Sequence, residues 1–252
     1  MDELRELALG AGDAAGFFPA MYVRVTEDIA ARIRAGEFAD GERMARLIDA
    51  FAGHYIGART GHIAVPRCWQ ATWDVAGDDH LLIVQHLLLG ANAHINHDLA
   101  LAVVEVAADV GGLESLHGDF HAINDVLAAS FAGVMRDLDR VSRWVGAATA
   151  LGGGRVFNFS LRVARARAWG AAQRLAALDD EARRDYEDEL DQLVSVLAYL
   201  ITRPVFPLGL GVWLARRFEQ HDAATVTRTL LGPAPVQGSD PRQAIGGTGT
   251  WL

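Results

Sequence analysis

The stretch Leu81–Ala108, LLIVQHLLLGANAHINHDLALAVVEVAA, constrains the fold more than any other part of the chain. It is too long for a strand, and its turn signals lie only at its ends, Asp78-Asp79 before it and Gly111-Gly112 after it. Such a run reads as one long helix over residues 81–108. Wound at about 100° per residue and measured from His86, His97 falls at about 20°, Gly90 at about 40°, His94 at about 80°, Glu105 at about 100° and Asp98 at about 120°. Val84, Leu88, Ile95, Leu99, Ala102 and Val106 take the opposite arc as an unbroken apolar face. A helix apolar over most of its circumference is buried, so its histidines and acids must find partners inside the protein. Gly90 leaves room within the polar arc for another group.

The rest of the chain supplies helices to surround this one. Residues 1–20, with Gly10, Gly12, Gly16 and Pro19, read as an irregular lead-in pinned by Phe17-Phe18. Thr26 reads as the cap of a short helix ended by Gly36, and Asp40 as the cap of the next, running to about Arg59 with His54 on its apolar stripe. Residues 61–77 read as a loop around Pro66 whose Trp69 and Trp73 could wall an apolar pocket. In LESLHGDFHAINDVLAASFAGVM, Asp119 shares a face with Leu116, Ile123, Val126 and Ser130, and Asn124 sits at its edge, while His117 and His121 point to solvent. Beyond Gly152–Gly154, Leu161, Arg165, Ala168, Ala172 and Leu175 share a stripe, so Arg165 points inward and calls for Asp98 or Asp119 as partner. Asp179–Arg203 reads as an amphipathic helix stopped by Pro204, followed by short closing helices at 206–218 and 221–231. No strand pattern or repeat occurs. The expectation is one all-α domain over 1–231, about seven or eight helices packed around the central one, with a flexible tail over 232–252.

Composition narrows the partners. A 51% hydrophobic and 22% charged chain of 252 residues is long enough for a full core. The net charge of −9, with all 23 basic residues Arg, argues against nucleic acid. The acidic start lacks the basic region of a secretory signal, and no long apolar run is free of His or Arg, so a cytoplasmic protein with no membrane span is expected. Cys68 is the one cysteine, which argues against a disulfide and a cysteine-based metal site. The oligomeric state is left open.

Phosphate-binding loops, dinucleotide fingerprints, nucleophile elbows and HExxH are all missing. One surviving chemistry is metal: His94 and Asp98, at i and i+4, could ligate an ion with Asp119 and His54 completing the shell, for one or two divalent ions in a hydrolase or phosphoesterase. The pair His97-Asp98 resembles the HD phosphohydrolases, but His86 and His94 lie two turns apart, roughly 12 Å, too far for a single ion. The other chemistry needs no cofactor: an inward carboxylate holds a proton near neutral pH, a neutral His accepts one, and a second, ionised carboxylate steadies a cation. Here Asp119 is expected as acid, His94 as base and Asp98 as the ionised partner. His86, Gly90, Asn92, Asn124, Arg165 and Trp73 are expected around a hydrophobic small-molecule substrate.

HLLLGANAHINHDLALA, DFHAIN and ARARAW resemble a helical family known as domain of unknown function 5995, over about residues 37–200. The resemblance implies that His86, Asn92, His94, Asp98, Asp119, Asn124 and Arg165 belong to its pattern; it implies no chemistry. In size and helical character the chain is also similar to the spiroacetal cyclases of polyketide pathways. That likeness implies dehydrative ring closure on an apolar, hydroxylated substrate. A non-catalytic binding protein for an apolar ligand is the third expectation.

Overall fold

The computed structural model describes residues 1–142, 144, 154–204, 212, 214–217, 219 and 222–232, with the side chains of 154–158 excepted. Ten α-helices and no strand occur among them: α1 (Asp2–Gly10), α2 (Phe17–Arg34), α3 (Gly41–Thr60), α4 (Arg67–Trp73), α5 (Ile83–Ala93), α6 (Leu99–Asp109), α7 (Leu113–Leu138), α8 (Gly154–Ala177), α9 (Asp180–Thr202) and α10 (Ala223–Leu231). The fold is all-α. The expected flexible tail and most of the closing segment 206–218 lie outside the described residues.

The central element is α5 and α6 joined without interruption by a π-helical turn, His94–Asp98. The expected long helix is present over Ile83–Asp109, but its phase is not uniform. A π turn holds one more residue than an α turn, so everything beyond it is rotated back by about 100°. By length and apolar composition this helix could span a bilayer; here most of it is buried in the bundle.

Caps fix the surrounding helices. The Asp40 carboxylate accepts the Arg43 N–H and opens α3, which Gly61 closes at φ 78°. Asp179 accepts from Glu181 and Ala182 to open α9, and Pro204 follows its end. Three expectations need correction. The first ten residues form a helix, because Leu4 and Ala8 bury themselves in the core. Thr26 lies inside α2, where its hydroxyl bonds the Tyr22 carbonyl one turn back. Residues 67–73 form α4, which seats Trp69 fully inside.

The central helix is not capped by Asp78-Asp79. Gln85 Oε1 accepts from the Leu82 N–H, and Glu219 Oε2, 136 positions downstream, accepts from the Ile83 N–H at 2.9 Å. The other Glu219 oxygen takes Ser142 Oγ at 2.6 Å and Trp144 Nε1 at 2.9 Å. Glycine has one strict use here. A Cβ on Gly90 would stand 2.4 Å from the Phe18 ring, so α2 crosses α5 at a point only Gly allows.

Candidate active site: a hydrogen-bonded histidine on an apolar cavity

Five helical segments enclose a cavity of about 100 Å³, several times the roughly 10–15 Å³ that one water needs. Phe18, Met21, Tyr22, Val25 and Ile29 of α2 form one wall, and Leu47, Ile48 and Phe51 of α3 another. Ala91, His94, Ile95 and Leu99 come from the central helix, and α7 and α8 contribute Ile123, Leu127, Phe131, Leu161 and Arg165. Tyr22, His94 and Arg165 are the polar side chains on this lining.

His94 is placed by the π turn and by Asp98. The Asp98 side chain, 1% exposed, accepts His94 Nδ1 at 3.0 Å and Trp69 Nε1 at 2.9 Å on one oxygen, and His97 Nδ1 at 2.8 Å on the other. Burial works against its charge, but the bonds from His94 and His97 prevail and hold the carboxyl below the ordinary carboxylate range. The carboxylate is acceptor-only, so Nδ1 of His94 carries the proton and Nε2 is left with a lone pair. Burial lowers the His94 pKa from its ordinary value, although Asp98 opposes it, so the ring is neutral at neutral pH. Its faces are covered: Phe51 stacks at 3.5 Å between centroids, and Tyr22 meets it edge-on at 4.5 Å.

Nε2 of His94 is buried without a hydrogen-bond partner, and so are the hydroxyls of Tyr22 and Tyr55 on the adjoining rings. Burial raises both phenols, which therefore remain protonated donors. Buried polar groups are ordinarily satisfied. An acceptor and a donor left open together on one cavity wall, His94 Nε2 and Tyr22 Oη, suit a ligand hydroxyl or carbonyl.

Arg165 lies apart from these rings. Its Nε donates to Asn124 Oδ1 at 2.8 Å and its Nη2 to the Phe120 carbonyl at 2.7 Å, with the guanidinium 4.2 Å above the Phe120 ring. Among the described residues it pairs with neither Asp98 nor Asp119, contrary to expectation.

The other expected site residues are dispersed. Asp119 accepts the Ala39 N–H at 2.8 Å and the Asp40 N–H at 2.9 Å, one on each oxygen, with Arg43 Nη2 at 3.7 Å. It clips the α2–α3 connection to α7 and is not on the cavity lining. His86 packs edge-on against Phe17 beside a separate surface hollow with Asp13 and Asp78. Asn92 donates to the Val194 carbonyl, tying α5 to α9. Trp73 stacks on Trp69 behind the site, and the space at Gly90 is filled by Phe18. His54 lies 3.4 Å from Glu105 at the rim of α3. The π turn explains much of this scatter: Ile95 and Leu99, expected on the far arc, share the cavity with His94, while Glu105 is turned outward.

Sequence reasoning missed Trp69 as a donor to Asp98, Tyr22, Phe51 and the second bond from His97. Their signal lies in pairing between helices, which a single helical wheel does not contain. The metal set His94, Asp98, Asp119 and His54 is not brought together. A different trio is: one donor atom each from Cys68, His97 and Asp191 lie within 4.8 Å of one another. Asp191 already accepts the N–H groups of Arg67 and Cys68, and burial pushes the Cys68 thiol up, which keeps it protonated. The cluster therefore reads as packing at the start of α4, although it shows that the lone cysteine does not by itself exclude such a grouping.

No curated protein and no solved structure matches this chain. A family model matches residues 1–204, a span that holds α1 to α9, the π turn and every residue of the cavity lining. The chain belongs to that family, the family of unknown function DUF5995.

Proposed function

We propose that the protein is a cytoplasmic acid–base enzyme acting on an apolar, hydroxylated small molecule, with His94 as the proton-transfer residue. The observation that carries this reading is the open Nε2 of a neutral histidine, oriented through Nδ1 by a buried ionised carboxylate, on the wall of an apolar cavity. A carboxylate that holds a histidine in one tautomer is a recurring way to prepare a general base. Asp98 orients the ring, and Tyr22 offers its hydroxyl to a substrate oxygen.

Spiroacetal-type closure is the specific reaction to test first. Its mechanism differs from the expected one, since Asp119 is committed to backbone amides. In the net step, the attacking hydroxyl forms a C–O bond and gives its proton to Nε2. The hemiacetal hydroxyl breaks its own C–O bond and leaves as water with that proton. One histidine can serve both transfers.

The test is closure of a linear dihydroxyketone, followed as rate above background and as enantiomeric excess, in the parent and in His94→Gln. The expected loss is about 10²–10⁴ in rate, with the excess abolished. A folded His94→Gln variant within a few-fold of the parent would overturn the assignment. Ligand bound in the cavity without turnover by the parent would favour a binding protein.

A further inference from the structure

Arg165 is 5% exposed, yet its partners are neutral. Two of its five N–H groups are engaged, by an amide oxygen and a backbone carbonyl, and the Phe120 face covers one side. Among the described residues no carboxylate meets it, and beyond them Asp240 is the sole acidic side chain. A buried guanidinium ordinarily answers an anion, because desolvating an unpaired charge costs several kcal/mol. Burial lowers its pKa to about 9, which still leaves it charged at neutral pH. The same side chain lines the cavity, where the remaining surface is aliphatic and aromatic apart from His94 and Tyr22.

We infer that the cavity takes a slender apolar molecule ending in an anionic group, whose head pairs with the free N–H groups of Arg165 while its chain lies along Ile123, Leu127 and Leu161. This rests on the cavity being the substrate site, and it specifies the class of substrate: an aliphatic acid or an alkyl phosphate in preference to a neutral alcohol. Ionised acceptors make the shorter and stronger bonds to guanidinium. Asn124 is a positioning residue, holding Nε so that the fork keeps its orientation.

The experiment is calorimetric titration of the full chain with octanoate, octyl phosphate, 1-octanol and octylamine. The expected order is an anion at least tenfold tighter than the alcohol, with the amine weakest; which of octanoate and octyl phosphate leads tells carboxylate from phosphate. Arg165→Met should bring the anions down to the alcohol while leaving alcohol binding unchanged, and Arg165→Lys should restore part of the preference. Should Arg165→Met fail to fold, the parent series and Arg165→Lys still decide. Anion and alcohol binding alike, no binding by any of the four, or an anion preference that persists in Arg165→Met, would overturn the inference. His94→Gln should keep the anion preference. A preference retained with turnover unaffected sinks only the base assignment; turnover lost with no anion preference sinks only this one.

Discussion

Two buried carboxylates, Asp98 and Asp119, sit on long helices and are both nearly inaccessible, yet they are used in opposite ways. Asp119 receives two backbone amides from the α2–α3 connection, so it holds chain to chain. Asp98 receives two imidazoles and an indole, so it holds rings in place and leaves one of them, His94, with an open nitrogen on a cavity. Backbone donors fix a fold. Side-chain donors that keep a second polar atom free arrange chemistry. Burial and residue type alone do not separate the two cases; the identity of the donors does.

The largest effect that would sharpen this contrast is expected at Asp98. Asp98→Asn removes the charge while placing an amide N–H against ring and indole donors. Stability should fall by about 3–5 kcal/mol, the usual penalty for breaking a buried charged network. Turnover of the folded fraction should fall with it, because the His94 tautomer is no longer enforced. Urea denaturation and enantioselective closure read the two losses separately. Normal turnover by Asp98→Asn would break the comparison.

Next comes Asp119→Ala. Two N–H bonds to a charged acceptor are worth roughly 1.5–3 kcal/mol each before coupling, so a loss of about 3 kcal/mol is expected, with turnover per folded molecule unchanged. A selective loss of rate at full stability would return Asp119 to the chemistry.

The smallest effect distinguishes the two histidines on Asp98. His94 is shifted down by burial from 6.5. For His97, burial again works against the charge, but the Asp98 bond prevails and shifts it up from 6.5. The signs follow from proton counting. Around His94 the unfolded chain binds the proton first, so its contribution to stability is lost as pH falls below about 6.5. Around His97 the folded chain binds more tightly; its contribution is present below about 6.5 and lost as pH rises through the raised value. Urea midpoints across pH 5–8 should therefore fall towards acid more steeply in His97→Gln than in the parent, and less steeply in His94→Gln. The same slope in all three would show that Asp98 does not divide them.

Much of the fold was legible in the residues. Asp40 and Asp179 behave as caps because a short carboxylate before a helical period has few other uses, and the continuous apolarity of 81–108 marked it as the buried centre. His94 and Asp98 were legible as a pair from their i, i+4 spacing. Their surroundings were not, because a wheel drawn at a constant angle passes through the π turn without registering it. Arg165 was read correctly as inward and wrongly as paired: the stripe shows where a side chain points, whereas a partner depends on what the facing helix carries. Asp191 was hidden in an acidic run, DDEARRDYEDELDQ, although it shares the buried stripe of Leu190, Val194 and Ala198.

The π turn also makes residue number itself a structural quantity. A chain one residue shorter between His94 and Asp98 could relax to an uninterrupted α-helix with better local hydrogen bonding. Every position from Leu99 to Asp109 would then present a different side to α3 and α8. Substitutions inside HINHD change one group at a time, but a deletion there swaps the inner and outer surfaces of half the central helix at once. Insertions and deletions should therefore be tolerated in the α2–α3 or α8–α9 connections long before they are tolerated here, and descendants of this chain are bound to the length of that segment as firmly as to its histidine.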